Sequence, residues 1–268
     1  MNSEITAILT LYKTPLSKLN NLSQYKNFNP VFFDQQTSGN SRKILKKNFN
    51  FNFRYYFSKK NIGLSKSSNF LLKKVRTKFC LFTQPDIKID LKSINLLKKS
   101  FKKDKDIIFS GPSYQKSKKD KKNRFVKKLN AACMLCDVKK LRDIGFFDED
   151  FFLYWEDMFL MNKINKSKYK MIFVPNAKAE HMSSQSSANN MRTTFLREMN
   201  FMYGEFVYDY KLKKIRIIKV FRKIFQFLII FFFKIVFFKL KDAIINLAKL
   251  LGVLKYLNFY CKKKLNIF

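Results

Sequence analysis

Carboxylates are scarce in this chain. It has 19 Asp and Glu against 55 Lys and Arg, a formal net charge of +36. The imbalance points to anionic partners: nucleic acid, anionic lipid or nucleotide phosphates. The chain is also rich in Lys, Asn, Ile and Phe together, as an AT-rich genome would make it, so charge alone does not name the partner. There is one His, one Trp and four Cys. Cys133 and Cys136 have the spacing of half a zinc site, but zinc would need two more ligands and a single His does not supply them. The segment around them, AACMLCDV, is apolar and reads as a buried strand in which Cys acts as a small hydrophobe. The first residues, MNSEITAILTLYKTP, lack a basic n-region and a small-residue cleavage site, so a reducing cytoplasm with free thiols is expected. No internal repeat and no nucleic-acid-binding motif is found.

What is present suits a folded catalytic domain with an extension. Hydrophobic residues make up 47% of the 268, enough for a core, which excludes disorder as the main theme. Apolar runs at 5–11, 31–33, 51–57, 79–82 and 107–109 read as strands. A further strand is expected at 130–137, and two short ones, 171–174 and 177–180, around Pro175. Helices fall between them: one opened by Pro15, a basic one over 38–47, one from 64 to about 75, and one capped by Asp90 with Leu91, Ile94, Leu97 and Phe101 at helical spacing. Strands alternating with helices indicate an α/β domain with a mainly parallel sheet. In such sheets ligands bind beyond the C-terminal strand ends. Polar residues stand at four of those ends: Thr10 to Lys13, Asp34, Asn61 with Gly63, and Asp86. The basic stretch 115–124 reads as a solvated loop or as a contact for an anionic acceptor.

Residues 145–157 read GFFDEDFFLYWED, five carboxylates and the only Trp in a strongly basic chain. A turn at Gly145 and a helix starting near Trp155 are expected. Glu156 and Asp157 would then lie in the first helical turn, where the helix dipole favours anions. Capping with a solvated acidic loop is one explanation; a cation, a proton transfer or a sugar hydroxyl is the other.

From about residue 191 the pattern becomes helical and polar–aromatic, then basic and apolar. The run 224–240 is almost wholly apolar, broken by Gln226, Lys234 and Lys239. It is at the lower edge of a spanning length, and a lysine near the middle of a span costs roughly 2.5–3.5 kcal/mol. Helices lying in an anionic membrane interface are favoured; a true span and a helix buried against the domain or a partner stay open. The expected division is therefore a catalytic domain at 1–190 and a membrane-associating helical extension at 191–268.

From 131 the chain reads AACMLCDVKKLRDIGFFDEDFFLYWEDMFL and, after a gap, YKMIFVPNAKAEHMSSQSS. This resembles the family 2 glycosyltransferases, in particular their rhamnosyltransferase-like branch, over roughly residues 4–190 and most specifically over 131–187. The resemblance implies a GT-A fold and an inverting transfer of sugar from a nucleotide-sugar donor, with dTDP-rhamnose the branch's familiar one. The acceptor would be a cell-surface polysaccharide or a lipid-linked saccharide, at the cytoplasmic face of the inner membrane, with the enzyme peripheral or monotopic.

Its site residues follow from the same resemblance. Thr10, Tyr12, Asp34, Asn61, Gly63, Asn69 and Gln84 line the donor nucleotide, and Asp86 and His181 hold Mg2+ or Mn2+. Asp157 is the catalytic base beside Glu156, Tyr154 and Trp155 face the sugar, and Ser183, Gln185 and Ser186 approach phosphate oxygens. Gln84 stands where the family can have a second metal carboxylate, and Gln35-Gln36 where it has Asn after Asp34. The alternatives are a basic nucleic-acid-binding protein and a catalytically silent membrane scaffold of the same fold.

Overall fold

A computed structural model describes residues 4–35, 37, 39–114, 122–182 and 190–265. The chain divides into two compact units, Met1–Asp148 with Asp157–Ala188, and Glu149–Glu156 with Asn189–Phe268.

In chain order the first unit begins β1 (Ile5–Tyr12), α1 (Leu16–Asn20), a 3-10 turn (Asn21–Tyr25), β2 (Val31–Gln35), α2 (Asn40–Asn48), β3 (Arg54–Ser58) and α3 (Leu64–Lys74). It continues β4 (Phe79–Thr83), β5 (Ile87–Ile89), α4 (Leu91–Ser100), β6 (Ile107–Ser113), β7 (Arg124–Val126), β8 (Cys133–Asp137) and α5 (Val138–Asp143). Then come α6 (Glu156–Asn165), whose first residue belongs to the second unit, and β9 (Lys170–His181).

The strands form one mixed sheet in the order β3-β2-β1-β4-β8-β6-β9-β5, with β7 also on β9. The ladders β3-β2-β1-β4 and β6-β9 are parallel. Strand β8 runs antiparallel between β4 and β6, and β5 and β7 run antiparallel to β9. The continuous apolar character of β1 is explained by burial on both faces. Ile5, Ala7, Leu9 and Leu11 enter one core with Leu81, Leu135 and Ile172, while Ile8 enters the other with Phe82, Phe109 and Met134.

Three expectations are corrected. Strand β3 starts at Arg54 rather than 51, because Phe49 and Phe51 stack at 4.8 Å and Phe53 packs on Phe32 at 5.6 Å. The aromatic run fills the core instead of extending the ladder. The two strands expected around Pro175 are one, β9. Its register on β6 jumps from Val174 opposite Pro112 to Lys178 opposite Ser113, a bulge that keeps the proline, which lacks an N–H, out of the ladder. Strands β5 and β7 were not expected; each has three residues, too few for a periodic signal.

The second unit contains α7 (Met191–Lys211), α8 (Ile217–Val236) and α9 (Leu240–Lys264). Asn190 starts α7 with a capping box: its Oδ1 accepts from the Thr193 N–H at 3.0 Å and its own N–H donates to Thr193 Oγ1 at 3.1 Å. The apolar run 224–240 is not one helix, because it is cut by the turn between α8 and α9, with Phe238 at φ 54°. Among the described residues no helix is long and apolar enough to cross a membrane.

Helices α7 and α9 approach so closely that a Cβ on Gly252 would lie 2.3 Å from the Met199 carbonyl oxygen and 2.9 Å from Met202 Cβ. Backbone sets that limit, so the helices must separate to admit a side chain. Gly252→Val is therefore expected to destabilise the second unit by about 1–3 kcal/mol. The effect should be read as faster amide exchange along α7 and α9; unchanged protection would contradict this packing.

Candidate functional site

Parallel register brings the polar strand ends to one edge of the sheet. Leu11 pairs with Asp34, Tyr12 with Gln35, Asp34 with Phe57, and Leu9 with Thr83. Thr10, Tyr12, Asp34, Asn61 and Gly63 thus share the rim beyond β1, β2 and β3. Asp34 is buried and its Oδ2 accepts from Tyr55 Oη at 2.7 Å. Thr10 Oγ1 lies 3.1 Å from Ser67 Oγ on α3. The Tyr12 hydroxyl is buried and meets no hydrogen-bond partner among the described residues. Asn61 Oδ1 accepts from the Gly63 N–H at 3.0 Å, and Gly63 has φ 88°, a left-handed conformation that glycine adopts without strain. Gln35 Oε1 accepts from the Ile62 N–H at 2.9 Å, tying this turn to the end of β2.

Asp86 sits in the turn between β4 and β5, almost fully buried. Antiparallel pairing of β5 with β9 sets Ile87 opposite His181, and the Met182 N–H donates to the Asp86 carbonyl at 3.0 Å. His181 Nε2 consequently lies 3.5 Å from Asp86 Oδ2, with the imidazole about a quarter exposed. The turn itself is clamped from the 3-10 segment. Asn21 Nδ2 donates to the carbonyls of Pro85 and Ile87, and Gln24 both donates to the Ile87 carbonyl and accepts from the Ile89 N–H. Sequence patterns did not single out Asn21 or Gln24, because amides in a short helix leave no periodic signature.

One carboxylate and one imidazole make an oxygen–nitrogen donor pair of the kind Mn2+ accepts. Gln84 adds no charge, and no group of three or more His, Cys, Asp or Glu suited to a metal occurs among the described residues. Two such ligands would leave most positions of a cation open, so the pair does not fit a closed structural site. Cys80, Cys133 and Cys136 are buried, and burial pushes the Cys133 thiol up to about 12, so it stays protonated inside the sheet.

The acidic segment is tethered at its start. Asn69 donates through Nδ2 to the Phe147 carbonyl at 2.9 Å and accepts the Phe147 N–H at 3.1 Å. Its amide is thus engaged in positioning this segment. Lys163 on α6 donates to the carbonyls of Ile144 and Phe146.

Within the second unit, Lys211 Nζ lies 2.6 Å from Asp150 Oδ2, so this carboxylate takes part in an ion pair. Tyr154 and Trp155 both have φ 70°, a strained conformation for non-glycine residues at roughly 1–3 kcal/mol each. Packing on α7 holds them. Trp155 Nε1 donates to the Phe201 carbonyl at 3.1 Å, its ring lies 5.5 Å from Phe201 and 5.3 Å from Tyr208, and Gly204 leaves room for it. The indole thus anchors the loop to α7 while Trp155 stays partly exposed.

Glu156 is buried. Asp157, the next residue, is half-buried, and burial raises its carboxyl above the ordinary 3.8 against the opposing pull of the Met158 and Asp157 N–H groups. A raised carboxylate is a stronger proton acceptor once ionised. Ser183, Gln185, Ser186 and Gln36, and the loop from 115 to 121, lie outside the described residues.

The sequence model of Glycosyl transferase family 2 matches residues 8–161, more than half of the chain. An N-acetylglucosaminyl-diphospho-decaprenol L-rhamnosyltransferase of Mycobacterium tuberculosis is 27% identical over 78 residues, which are 29% of this chain and 25% of that protein. The chain thus matches about a quarter of that relative's length. Among solved structures, the mannosyltransferase PcManGT of Pyrobaculum calidifontis, in complex with GDP-Man and Mn2+, superposes with a TM-score of 0.57 at 15% identity, covering 77% of this chain and 64% of that one. TarS of S. aureus, residues 1–349, gives 0.54 at 14% identity, covering 79% and 71%. These likenesses show the GT-A fold.

Proposed function

The chain belongs to glycosyl transferase family 2, and we propose that it moves a sugar, with inversion, from a nucleotide-sugar donor to a hydroxyl of a saccharide or lipid-linked acceptor. The observation that carries this is the Asp86–His181 pair at the rim of the sheet, beside the polar ends of β1 to β3. Asp34, Thr10, Tyr12, Asn61 and Gly63 would line the nucleotide. Asp86 and His181 would hold Mn2+ or Mg2+, and a cation there supplies positive charge where the departing diphosphate becomes negative.

Asp157 would act on the other reactant. The acceptor oxygen attacks the anomeric carbon from the face opposite the diphosphate. The new C–O bond forms as the bond to the diphosphate oxygen breaks, and the acceptor proton passes to the Asp157 carboxylate. Burial that raises the basicity of Asp157 supports this role. Glu156, immediately before it in the chain, would orient the acceptor or donor sugar, and Tyr154 and Trp155 would face the sugar. The rhamnosyltransferase relative supports dTDP-rhamnose as the first donor to try and a lipid-linked acceptor. The decaprenol in that relative's name supports action close to a membrane, and we infer the cytoplasmic face of the inner membrane as the place.

A panel of nucleotide sugars tested by thermal shift, each with Mn2+, Mg2+ or a chelator, checks the donor half. One nucleotide class is expected to raise the melting temperature only when metal is present. Tight binding of labelled RNA or DNA, with no response to any nucleotide sugar, would favour the nucleic-acid alternative instead.

A further inference from the structure

An ordinary surface helix is apolar inward and polar outward. Helix α8 is apolar on both sides. Val220 and Phe227 are buried. On the opposite side Ile218, Phe221, Phe225, Ile229, Phe232 and Val236 recur every three or four residues and are 54–76% exposed. The strip runs on through the turn after α8, where Phe238 is 88% exposed. A row of large exposed apolar side chains of this length marks a surface that something covers.

The charges around the strip say what covers it. Arg216, Arg222, Lys239 and Lys241 are exposed at its two ends. Beyond Asp209 the sequence has one acidic residue, Asp242, and its Oδ2 is 3.2 Å from Lys234 Nζ. Lys234, the lysine that made a span costly, is thus paired on the α9 side and lies off the exposed strip. Lys219 is likewise paired, with Glu205 at 3.0 Å and Asp209 at 2.6 Å. A second copy would bring these cationic ends together. An anionic bilayer supplies both the hydrocarbon and the compensating charge.

We propose that α8 lies flat in the headgroup region of an anionic membrane, its Phe-rich strip facing the acyl chains and its basic ends on the phosphates. Helix α9 stays out of the lipid: Ala248, Val253 and Tyr256 are buried, and it packs on α7 through Gly252. This posture gives the proposed membrane-side location a physical basis, and it stands independently of the sugar chemistry.

Cosedimentation of the full chain tests it, using phosphatidylcholine vesicles with and without phosphatidylglycerol. Binding to the anionic vesicles is expected, with part of it surviving high salt. Phe225→Glu together with Phe232→Glu should weaken it roughly hundred-fold, each buried Phe contributing on the order of ten-fold, while circular dichroism is unchanged. Arg222→Glu with Lys239→Glu should weaken binding to the anionic vesicles alone. A tryptophan placed by Phe225→Trp should be quenched by bromines near the headgroups more than by bromines at the chain ends. Three results would each overturn the proposal: undiminished binding by the Phe225/Phe232 variant, quenching strongest at the bilayer centre, or a lipid-free dimer that shields the strip. Because no sugar is involved, a failed donor panel leaves this test intact.

Discussion

Asp157→Asn is expected to bind the donor as the wild type does and to transfer sugar about 10²–10⁴-fold more slowly, the usual cost of removing a general base. Asn keeps the size of the side chain and can still accept the Met158 N–H, which donates to Asp157 Oδ1 at 2.7 Å. What it loses is the capacity to take a proton. A fall in turnover without a fall in donor affinity marks an interaction made only in the transition state.

The raised carboxyl of Asp157 makes two further expectations specific. The acid limb of the wild-type rate profile should lie above the ordinary carboxyl value of 3.8, because activity disappears as the base is protonated. Stability runs the other way. A carboxyl whose folded-state pKa is raised favours the fold fully below its unfolded pKa, and that contribution is lost as pH rises through the folded value. At neutral pH the ionised, half-buried group therefore costs stability, and the Asn variant should melt at the same temperature or higher. A variant that loses activity because it unfolds would melt lower and would not support the base assignment.

Asp86→Asn should fail at the earlier step. Its backbone carbonyl would still accept from Met182 and the clamp from Asn21 and Gln24 engages only the backbone of Pro85, Ile87 and Ile89, so the turn should survive. The anionic ligand beside His181 is lost. Metal-dependent donor affinity is expected to fall by roughly 10²-fold, in line with the several kcal/mol a bound cation contributes, and turnover with it. His181→Ala should act in the same direction. If Asp86→Asn bound the donor with unchanged affinity and unchanged metal dependence, the cation would have to sit elsewhere.

The sheet and its rim were largely legible in the sequence because buried parallel strands read as short apolar runs. ITAILTLY and FCLFT needed no tertiary information. Asp34, Asp86, Asp157 and His181 were legible as motif residues. What could not be read was how Asp86 and His181 meet. The 3.5 Å approach of His181 to Asp86 depends on β5, whose Ile-Lys-Ile is too short to announce itself, and on the bulge that carries β9 past Pro175.

Asn69 and Trp155 show a different limit. Residue type indicated what each could do but not that the Phe147 backbone and the Phe201 carbonyl engage their polar atoms. Composition likewise showed an apolar stretch at 224–240 and concealed the turn that divides it between α8 and α9.

The claim at the centre of this account is that two carboxylates divide the work, Asp86 on the donor and Asp157 on the acceptor. Calorimetric titration of the donor found by the panel, with Mn2+, into wild type, Asp86→Asn and Asp157→Asn tests it most directly. The account predicts matching affinity for wild type and Asp157→Asn and a large loss for Asp86→Asn. Equal losses in both variants, or full affinity in Asp86→Asn, would contradict it.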